Sequence, residues 1–367
     1  MPRILLIASS PASAIHTPLL ASMLQYSGID VRIASLDGFI SDEYIRKCTG
    51  ENPFNLGARM DIHDFNAIML APLSLAGDAR LNPLKEQRGI PLFAAQVLPA
   101  QIPAGLVFNP IIPLPESAIK MGALGEFKVA SPEQCHEAIL AHFTRQDLAG
   151  KTIMLTAGPT IEDADPARFI SNRSTGRMGT AIARMAARRG ATVLLVHGPM
   201  EAPVPQNQNI IPFEVRSAND MHQMVKLHIA EADIAILCAA VADFAPVKYS
   251  EEKIKKGKSI FFDLQMRRTP DILASVGQLP DKPFLVGFAA ESNNVRENAM
   301  DKLTRKNCDL LCANDITAQG CGFAVATNRL LVFAKDGSMT EIPLASKEKV
   351  ANAMLDIVLL KMGAEKE

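Results

Sequence analysis

The first part of the chain alternates short apolar runs with segments whose apolar residues recur at helical spacing. The predicted strands cover 3–8, 30–34, 66–71 and 91–95, and the clearest predicted helices cover 18–26 and 132–143. Strands that alternate with helices form a parallel sheet, because each helical crossover returns the chain in the same direction. The pattern therefore predicts an α/β unit.

The same alternation starts again after a polar stretch at 144–150, which predicts a domain boundary near residue 147. The second set comprises strands at 151–157, 191–197, 233–239, 283–288 and 309–313, helices at 178–190, 219–232, 270–277, 294–306 and 347–362, and a hairpin at 328–334 and 340–343. The chain is thus predicted to form two Rossmann-like or flavodoxin-like three-layer domains with mainly parallel sheets, at 1–147 and 148–367.

Composition limits the classes of function. The 367 residues are 48% hydrophobic, enough for full-sized cores, and 38 basic side chains face 39 acidic ones. A net charge of −1 gives no bulk attraction to nucleic acid or to a membrane, so neither is an expected partner. The apolar run after Met1 is too short for a signal peptide, so we expect a cytoplasmic protein. The 6 cysteines form no CxxC pattern and are expected to be reduced thiols.

The connection between the strand at 151–157 and the following helix has the pattern of a phosphate site. It contains glycine, hydroxyl and arginine residues, and the helix begins near Met178. Glycines let backbone N–H groups approach an anion without a Cβ in the way, and a helix N-terminus adds partial positive charge. The residues predicted to bind nucleotide phosphates are Gly158, Ser174, Gly176 and Gly179.

Two other classes of function share parts of this pattern. A nicotinamide-dependent oxidoreductase uses a similar strand, glycine loop and helix, but the strand at 191–197 ends in His197 where such enzymes need an acidic ribose-binding residue. A non-catalytic flavin or nucleotide sensor would need the N-terminal loop to bind a ligand. Absorbance of the purified protein in the flavin bands would distinguish a flavin sensor from the other classes of function.

The same connection resembles the phosphopantothenate–cysteine ligase family. The family pattern Arg-Phe/Tyr-Ile-Ser-Asn-x-Ser-Ser-Gly-Lys-Met-Gly is matched from Arg168 to Gly179, with Thr175 and Arg177 as mild departures. Further matches follow in order at 239–243, 253–256, 269–272, 286–294, 302–306 and 312–315. The resemblance covers most of the second predicted domain.

The resemblance implies that the chain ligates cysteine to 4′-phosphopantothenate. In this family the substrate carboxylate attacks the α-phosphate of CTP, or of ATP in many eukaryotic members, and the acyl-nucleotide then reacts with cysteine. We expect CTP here, and the sequence leaves the choice of base open. The triphosphate implies Mg²⁺, which usually takes one or two carboxylates together with phosphate oxygens and water. The sequence shows no dedicated set of metal ligands.

The resemblance assigns the chemistry to three residues. Asn172 is similar to the residue that holds the acyl-nucleotide, Lys253 to the lysine that contacts the triphosphate, and Arg168 to an essential nearby cation. Their local patterns alone would indicate a turn residue at Asn172 and a solvated basic loop at Lys253. The further nucleotide contacts implied are Ala239, Ala240, Asp243, Pro270, Asp271, Ile272, Leu273, Phe288, Lys302 and Lys306. The implied substrate contacts are Asn172, Ala240, Asn314 and Asp315.

Several of these residues also have a structural interpretation. Pro270 is predicted to occupy the first position of a helix, and Asp243 could cap a helix or turn. Phe288 would ordinarily belong to the core. Lys302 and Lys306 lie four residues apart on a predicted helix and point in one direction, as a salt-bridged surface would also do.

The first predicted domain resembles the flavin-dependent decarboxylase that is fused to this ligase in many bacteria. The aligned catalytic His, Asn and Cys positions hold Ala58, Ile102 and Met121, and the flavin loop at 9–13 lacks its glycines. We therefore expect a degenerate domain without FMN, and a bifunctional ligase and decarboxylase is the alternative.

The resemblance also implies a homodimer through the ligase domain, because the family uses the segment matching 312–323 to cover phosphopantothenate across a dimer interface. A higher oligomer through the first domain is a second expectation. The family's Gly-Phe-Asn-Ser-Asp pattern departs here, reading Gly-Phe-Ala-Val-Ala at 322–326.

Overall fold

A computed structural model of the chain divides into two compact units, Met1–Phe143 and Thr144–Glu367. The structure describes residues 1–8, 13–38, 40–55, 64–71, 84, 89–95, 109–111, 118–120, 126–255, 263–291, 294–315 and 317–364. The domain boundary near residue 147 stays a prediction. Asp147 itself belongs to the second unit, where its two carboxylate oxygens accept hydrogen bonds of 2.7 Å from the buried Arg189.

The first unit contains a parallel five-stranded sheet in the order β2-β1-β3-β4-β5. Its elements are β1 (Arg3–Ala8), α1 (Ser13–Tyr26), β2 (Asp30–Ser35), a 3₁₀ turn (Leu36–Gly38), α2 (Asp42–Thr49), β3 (Ala67–Ala71), β4 (Leu92–Ala94), β5 (Asn109–Pro110), β6 (Ala118–Lys120), β7 (Glu126–Lys128) and α3 (Pro132–Phe143). Successive residues of β1 enter different cores, since Ile4 and Leu6 pack with α1 and α3 whereas Leu5 and Ile7 face the other side of the sheet. The positions that bear on decarboxylation, 9–12, 58, 102 and 121, lie outside the described residues.

The second unit is built on an eight-stranded sheet in the order β12-β11-β8-β13-β16-β17-β18-β19. Its elements are β8 (Thr152–Ala157), β9 (Ile161–Asp165), β10 (Arg168–Ser171), α4 (Arg177–Arg188), β11 (Thr192–His197), β12 (Ile210–Glu214), α5 (Ala218–His228), a 3₁₀ turn (Ile229–Glu231), β13 (Ile234–Leu237), β14 (Phe244–Pro246), β15 (Met266–Arg268), α6 (Ile272–Gly277), β16 (Phe284–Glu291), α7 (Val295–Arg305), β17 (Leu310–Asp315), β18 (Thr327–Ala334), β19 (Met339–Ser346) and α8 (Lys347–Ala364). Across the sheet, neighbouring strands are parallel from β12 through β11, β8, β13 and β16 to β17. Strand β18 pairs antiparallel with β17, and β19 pairs antiparallel with β18.

Helices cover both faces of this sheet, which gives the unit three layers. Ile153 and Leu155 of β8 pack in a core with α4 and α8, and Met154 between them packs with α5, α6 and α7 on the opposite face. This alternation follows from the two-residue period of a strand that is buried on both sides. The predicted α/β class with mainly parallel sheets is confirmed. None of the helices in the described ranges is long and apolar enough to cross a bilayer.

Two glycines allow α4 to start close to the sheet. Gly176 lies at the N-cap with φ of 78°, a backbone conformation that residues with a Cβ rarely adopt. A Cβ at Gly179 would collide with Ala157 at the end of β8. The first turn of α4 is therefore held directly beside the strand end.

The predicted single loop between β8 and α4 is wrong, because this connection contains the antiparallel hairpin of β9 and β10. The acidic residues of β9 hid the strand from a hydrophobic pattern. Their partners come from distant parts of the chain, as Glu162 accepts from the buried N–H of Ala218 (2.7 Å) and Asp163 accepts two bonds from Arg216. The short antiparallel pair β14 and β15 was missed for the same reason of polarity and length.

Candidate functional site

A cleft of about 720 Å³ opens in the second unit where the carboxyl ends of β8, β13 and β16 meet the start of α4. Open α/β sheets bind ligands at this edge of the sheet. Most of the predicted site residues line the cleft, namely Gly158, Asn172, Ser174, Gly176, Gly179, Ala239, Ala240, Asp243, Pro270, Asp271, Ile272, Leu273, Phe288, Lys302, Lys306 and Asn314. The structure thus brings together residues that are spread over more than 150 positions of sequence.

The N-terminus of α4 forms one wall of the cleft. No side chain caps it, although Ser174 Oγ accepts a hydrogen bond of 3.4 Å from the Gly176 N–H. The first N–H groups of a helix have no partner within the helix, so the start of α4 can donate to an anion. Arg177 and Met178 extend this wall.

Asn172 lies just after β10 and is oriented by two backbone carbonyls. Its Nδ2 donates to Ala240 O and to Val241 O, both at 3.0 Å. Ala240 is itself held, because its N–H donates to Gly158 O (2.9 Å). Both amide protons of Asn172 are thereby used, and its Oδ1 is the atom left to accept a hydrogen bond from a ligand.

The cleft is basic even though the whole chain is nearly neutral. Two carboxylates line it, Asp243 and Asp271, together with six basic residues: Arg177, Arg268, Lys302, Arg305, Lys306 and Lys347. The local excess of positive charge favours anionic ligands.

Two of these lysines are paired with carboxylates. Lys306 contacts Asp271, and Lys302 Nζ lies 3.5 Å from Glu291 Oε1. Lys302 and Lys306 therefore line the cleft, as the nucleotide interpretation predicts, and are also paired with carboxylates, as the salt-bridge interpretation predicts. Asp271 is the N-cap of α6, accepting a bond of 2.9 Å from the Ala274 N–H. The prediction that Pro270 is the first residue of that helix is wrong, because the carboxylate cap moves the helix start past it.

Lys347, the first residue of α8, holds a loop at the edge of the cleft. The residue is only 6% exposed, and its Nζ donates to the carbonyls of Gly322 (3.0 Å), Phe323 (3.2 Å) and Val325 (2.6 Å). Burial, and secondly the charge of Arg177, lower the pKa of Lys347 from its ordinary value. Three hydrogen bonds to carbonyls compensate for burying the ammonium group.

The two departures from the family pattern contact the same loop. Thr175 Oγ1 donates to Phe323 O (2.7 Å), and Arg177 Nη1 donates to Ala324 O (2.9 Å). The carbonyls from Gly322 to Val325 thus all accept from side chains. This anchoring uses the loop's backbone, so the changed side chains at 324–326 remove none of it.

Two of the predicted residues, Lys253 and Arg168, are not among the described residues that line the cleft. Lys253 is exposed, and Arg168 Nη1 contacts Asp165 Oδ2 (2.6 Å) and Ile254 O (3.1 Å). The backbone of Asp315 belongs to β17, and its side chain lies outside the described residues, as does Lys256. Their roles stay predictions.

Sequence reasoning missed several residues that line the cleft, notably Arg268, Arg305, Asn328 and Lys347. Each comes from the end of an element or from a buried strand, where no motif marks it. Arg268 is one residue before the matched segment at 269–272, which was the nearest available signal. Asn328 is 2% exposed, and its Oδ1 has no hydrogen-bond partner in the described ranges.

Phe288 and Cys238 show how core residues contribute to the cleft. Phe288 packs against the core that includes α4 and α8 while also lining the cleft, so the core and nucleotide interpretations both fit. Burial raises the pKa of the Cys238 thiol to about 12. The thiol is therefore protonated at neutral pH and is no nucleophile.

Residues 148–361 match the family described as DNA/pantothenate metabolism flavoprotein C-terminal domain. The chain is 41% identical over 239 residues to the coenzyme A biosynthesis bifunctional protein CoaBC of Vibrio cholerae serotype O1, an alignment that covers 65% of this chain and 59% of that protein. It is 39% identical over 257 residues to a protein named cysteine/cysteine sulfinic acid decarboxylase from an unknown prokaryotic organism, covering 68% of this chain and 71% of that protein.

A solved structure, the crystal structure of the C-terminal domain of CoaBC, matches with a TM-score of 0.51 and 38% identity. The match covers 60% of this chain and all of that domain. The chain thus aligns with 59% of the length of the bifunctional relative, and its likeness to the solved domain supports the α/β fold described above.

Proposed function

We propose, from the premise that the chain belongs to the DNA/pantothenate metabolism flavoprotein C-terminal domain family, that its second unit joins cysteine to 4′-phosphopantothenate with CTP as the activating nucleotide. The observation that carries the proposal is the cleft, which brings Asn172, the start of α4 and the strand end at Ala239 together with six basic side chains. Both the triphosphate and the acid are anions, and this positive cluster reduces the cost of bringing them together.

The first step forms a bond between a carboxylate oxygen of 4′-phosphopantothenate and the α-phosphorus of CTP. The bond from that phosphorus to the bridging oxygen of the β-phosphate breaks, and pyrophosphate leaves with the electron pair. No proton transfer is needed, so the protein acts by positioning and by stabilising charge. The free N–H groups of α4, Ser174 and the basic side chains of the cleft other than Lys347 supply that stabilisation, and we assign Lys253 and Arg168 to the same task.

The second step forms a C–N bond between the cysteine amine and the acyl carbon, while the bond from that carbon to the phosphate oxygen breaks. CMP leaves with the electron pair, and the nitrogen releases a proton. We assign Asn172 Oδ1 to accept a hydrogen bond from the attacking amine, since its Nδ2 is committed to Ala240 and Val241. Asn172 thereby holds the acyl-nucleotide and orients the amine.

The remaining predicted contacts are divided between CTP and 4′-phosphopantothenate. We assign the base and ribose of CTP to the region between β13 and β16, where small side chains leave backbone groups accessible. The nucleotide contacts there are Ala239, Ala240, Asp243, Pro270, Asp271, Ile272, Leu273, Phe288, Lys302 and Lys306. Asn314 and Asp315 are assigned to 4′-phosphopantothenate with Ala240.

The carboxylates of the cleft fit a nucleotide-bound Mg²⁺. Asp271 is committed to Lys306 and to the Ala274 N–H, which leaves Asp243 as the cleft carboxylate without a hydrogen-bond or ion-pair partner among the described residues. In the described ranges no three His, Cys, Asp or Glu residues cluster as a metal cage would require. One carboxylate with phosphate oxygens and water is an ordinary Mg²⁺ environment, and the ion would offset phosphate charge there.

We also propose that the second unit forms a homodimer. Phe169 on β10 and Phe244 on β14 are half exposed, as are Val247 and Tyr249 just after β14. The Ser250 N–H donates to Ala164 O (3.0 Å), so the two hairpins lie side by side. Four exposed apolar side chains on adjoining hairpins suit an interface between copies, and sedimentation equilibrium would measure the assembly.

We propose no decarboxylation and no FMN for the first unit, because Ala58, Ile102 and Met121 occupy the aligned catalytic positions. Its role would be that of a scaffold, and higher assembly through it remains part of the proposal. We place the ligation in the cytoplasm, where cysteine is kept reduced.

Omission of single substrates tests the proposed function. Full-length protein with CTP, Mg²⁺ and 4′-phosphopantothenate should release pyrophosphate, at first up to about one equivalent per site, and continuous turnover should require cysteine. Mass spectrometry should detect the acyl-cytidylate when cysteine is left out. Pyrophosphate release that ignores 4′-phosphopantothenate would contradict the proposal, and parallel reactions with ATP settle the base.

The variant Asn172→Asp tests the site within that function. It replaces a neutral amide by an anion and removes the donor to Ala240 and Val241. Ligation should fall by about 10³-fold or more, because like charges repel in the cleft and the amine loses its partner. Thermal unfolding should change little, since Asn172 is exposed. Normal turnover would remove Asn172 from the site.

A further inference from the structure

A buried carboxylate outside the cleft contacts Arg168, which is assigned to catalysis, and the backbone next to Lys253, which is assigned to catalysis as well. The side chain of Asp165, at the end of β9, is 0% exposed. Its Oδ1 accepts from the Ala167 N–H (2.7 Å), and its Oδ2 accepts from Arg168 Nη1 (2.6 Å) and from the Ile254 N–H (3.1 Å). A fully buried aspartate is costly unless such donors surround it, so this arrangement is specified closely by the fold.

Together Asp165 and Arg168 hold the backbone of Ile254 from both sides. Asp165 accepts from its N–H, and Arg168 Nη1 donates to its carbonyl at 3.1 Å. The other end of the segment is fixed as well, because the Ser250 N–H donates to Ala164 O at 3.0 Å. Both ends of the segment 250–254 are therefore tied to the end of β9.

Lys253 lies between these anchors and is exposed, with no side-chain hydrogen bond or ion pair to any of the described residues. A lysine has four rotatable bonds and a point charge, so the region that its ammonium group can reach is set by the position of its backbone. That position is fixed one residue away, at Ile254. Asp165 and Arg168 thus define where the Lys253 charge can act.

We propose that Asp165 is a positioning residue for the ligase reaction, which fixes the Lys253 segment through Ile254 with Arg168 as the second arm. This inference rests on the proposed function. Asp165 is not among the described residues that line the cleft, so in this proposal it acts by placing the lysine rather than by contacting the reacting atoms. Its loss should lower the rate of the chemical step more than the binding of 4′-phosphopantothenate.

The chain offers a matched control two residues away on the same strand. Asp163 also pairs with an arginine, accepting from Arg216 Nε (2.7 Å) and Nη2 (2.8 Å). No hydrogen bond or ion pair joins its carboxylate to residues 250–255 in the part of the chain that the structure describes. Asp163→Asn removes an equivalent charge and ion pair from β9 without touching the lysine segment.

The test compares Asp165→Asn with Asp163→Asn in the full-length protein. Hydrogen exchange should show that the Ile254 amide loses protection in Asp165→Asn and keeps it in Asp163→Asn. The kcat for pyrophosphate release should fall roughly 10²-fold in Asp165→Asn, the scale expected for a displacement of about 1 Å, with the KM for 4′-phosphopantothenate within twofold. Asp163→Asn should stay within twofold in both constants.

A double variant separates positioning from general damage. In a Lys253→Gln background, Asp165→Asn should cost less than threefold, because the group through which it acts is already absent. If the double variant instead loses kcat by the product of the two single losses, the proposal is overturned. An unchanged kcat in Asp165→Asn alone would also overturn it. If Asp165→Asn fails to fold, Asp165→Glu carries the same test, since it keeps the charge beside Arg168 and displaces the acceptor of the Ile254 N–H.

The exchange measurement keeps this inference distinct from the proposed function. A wild-type protein without ligase activity would overturn the proposed function and the positioning role together. Loss of Ile254 protection in Asp165→Asn would still establish the clamp in that case. An active wild type with an unaffected Asp165→Asn variant would overturn the positioning role alone.

Discussion

Two loops of the second unit are held differently, one by a hydroxyl and two cationic side chains and the other by a buried aspartate together with an arginine. The loop at 322–325 directs its carbonyls toward Thr175, Arg177 and Lys347. The segment at 250–254 gives an N–H to Asp165 and a carbonyl to Arg168. In both loops the backbone carries the anchoring bonds, which leaves the side chains free to vary or to react.

The two loops differ in what their lysines do. Lys347 is buried and uses its Nζ on three carbonyls, so its charge serves the structure. Lys253 is exposed, and its backbone is placed by others. A lysine committed to several protein acceptors has few donors left for a substrate, whereas a free one on a fixed backbone can bind a phosphate. The comparison predicts that replacing Lys253 lowers activity with little effect on stability, whereas replacing Lys347 lowers stability.

The largest effect should come from the free lysine. Lys253→Gln should lower kcat for pyrophosphate release by about 10³-fold, because the cation stabilises charge that develops during transfer. The free energy of unfolding should change by less than about 0.5 kcal/mol, as for other exposed sites. Lys248→Gln, an exposed lysine five positions earlier, is the control and should be nearly silent. Equal losses in kcat and in substrate affinity would point to a simple binding role.

The buried lysine should show the reverse. Lys347→Met leaves the carbonyls of Gly322 and Val325 without their donor, which should cost about 2 kcal/mol of unfolding free energy. Urea denaturation measures this cost, and limited proteolysis should show earlier cleavage at 322–325. Lys349→Met, on the exposed side of the same helix, is the matched control. A loss of activity without loss of stability would place Lys347 in the catalytic machinery and break the comparison.

A smaller effect is expected for the hydroxyl that shares the loop. Thr175→Val removes the donor to Phe323 O and keeps the side-chain shape. Phe323 O still accepts from Lys347, so the expected cost is about 1 kcal/mol, near the ordinary value of one hydrogen bond. The double variant with Lys347→Met should cost more than the sum of the single losses, because the carbonyl then loses both donors. Simple additivity would show that the two donors act independently.

Local pattern was enough to predict seven of the eight strands of the main sheet and the placement of α4, but not the edge strand β12. Apolar runs mark β8 and β13 because both are buried on two faces, and glycines mark the helix start because Gly176 has a positive φ. The motif match located the cleft residues for a related reason. Backbone close to a ligand requires small residues, as at Ala239 and Ala240.

The sequence did not predict the hydrogen bonds and ion pairs between residues that lie far apart in the chain. Acidic residues are ordinarily solvated, yet Glu162 and Asp165 are buried and accept hydrogen bonds from donors that lie 56 and 89 residues away in the chain. The spacing of Lys302 and Lys306 gave their common face, but their carboxylate partners depend on how β16 and α6 pack. Such contacts follow from tertiary packing, which local periodicity does not encode.

The smallest expected effect is a difference in pH dependence between the two anchors. Burial alone would raise the pKa of Asp165, but hydrogen bonds from the Ala167 and Ile254 N–H groups, together with the charge of Arg168, bring its pKa below the ordinary value of 3.8. A carboxylate with a lowered pKa stabilises the folded protein above its unfolded-state pKa, and this contribution is lost as the pH falls through the folded-state pKa. The difference in unfolding free energy between wild type and Asp165→Asn should therefore be constant from about pH 8 to pH 5 and shrink below about pH 4.

Burial and the charge of Arg177 lower the pKa of Lys347, and a falling pH favours the protonated form that donates to the three carbonyls. The difference between wild type and Lys347→Met should not shrink on acidification. Urea denaturation of the three proteins at several pH values measures both differences. A difference for Asp165→Asn that persists to pH 3 would mean that the aspartate acts through its shape and hydrogen bonds rather than its charge. The two anchors would then differ in geometry alone, and the contrast between an anionic and a cationic anchor would have to be abandoned.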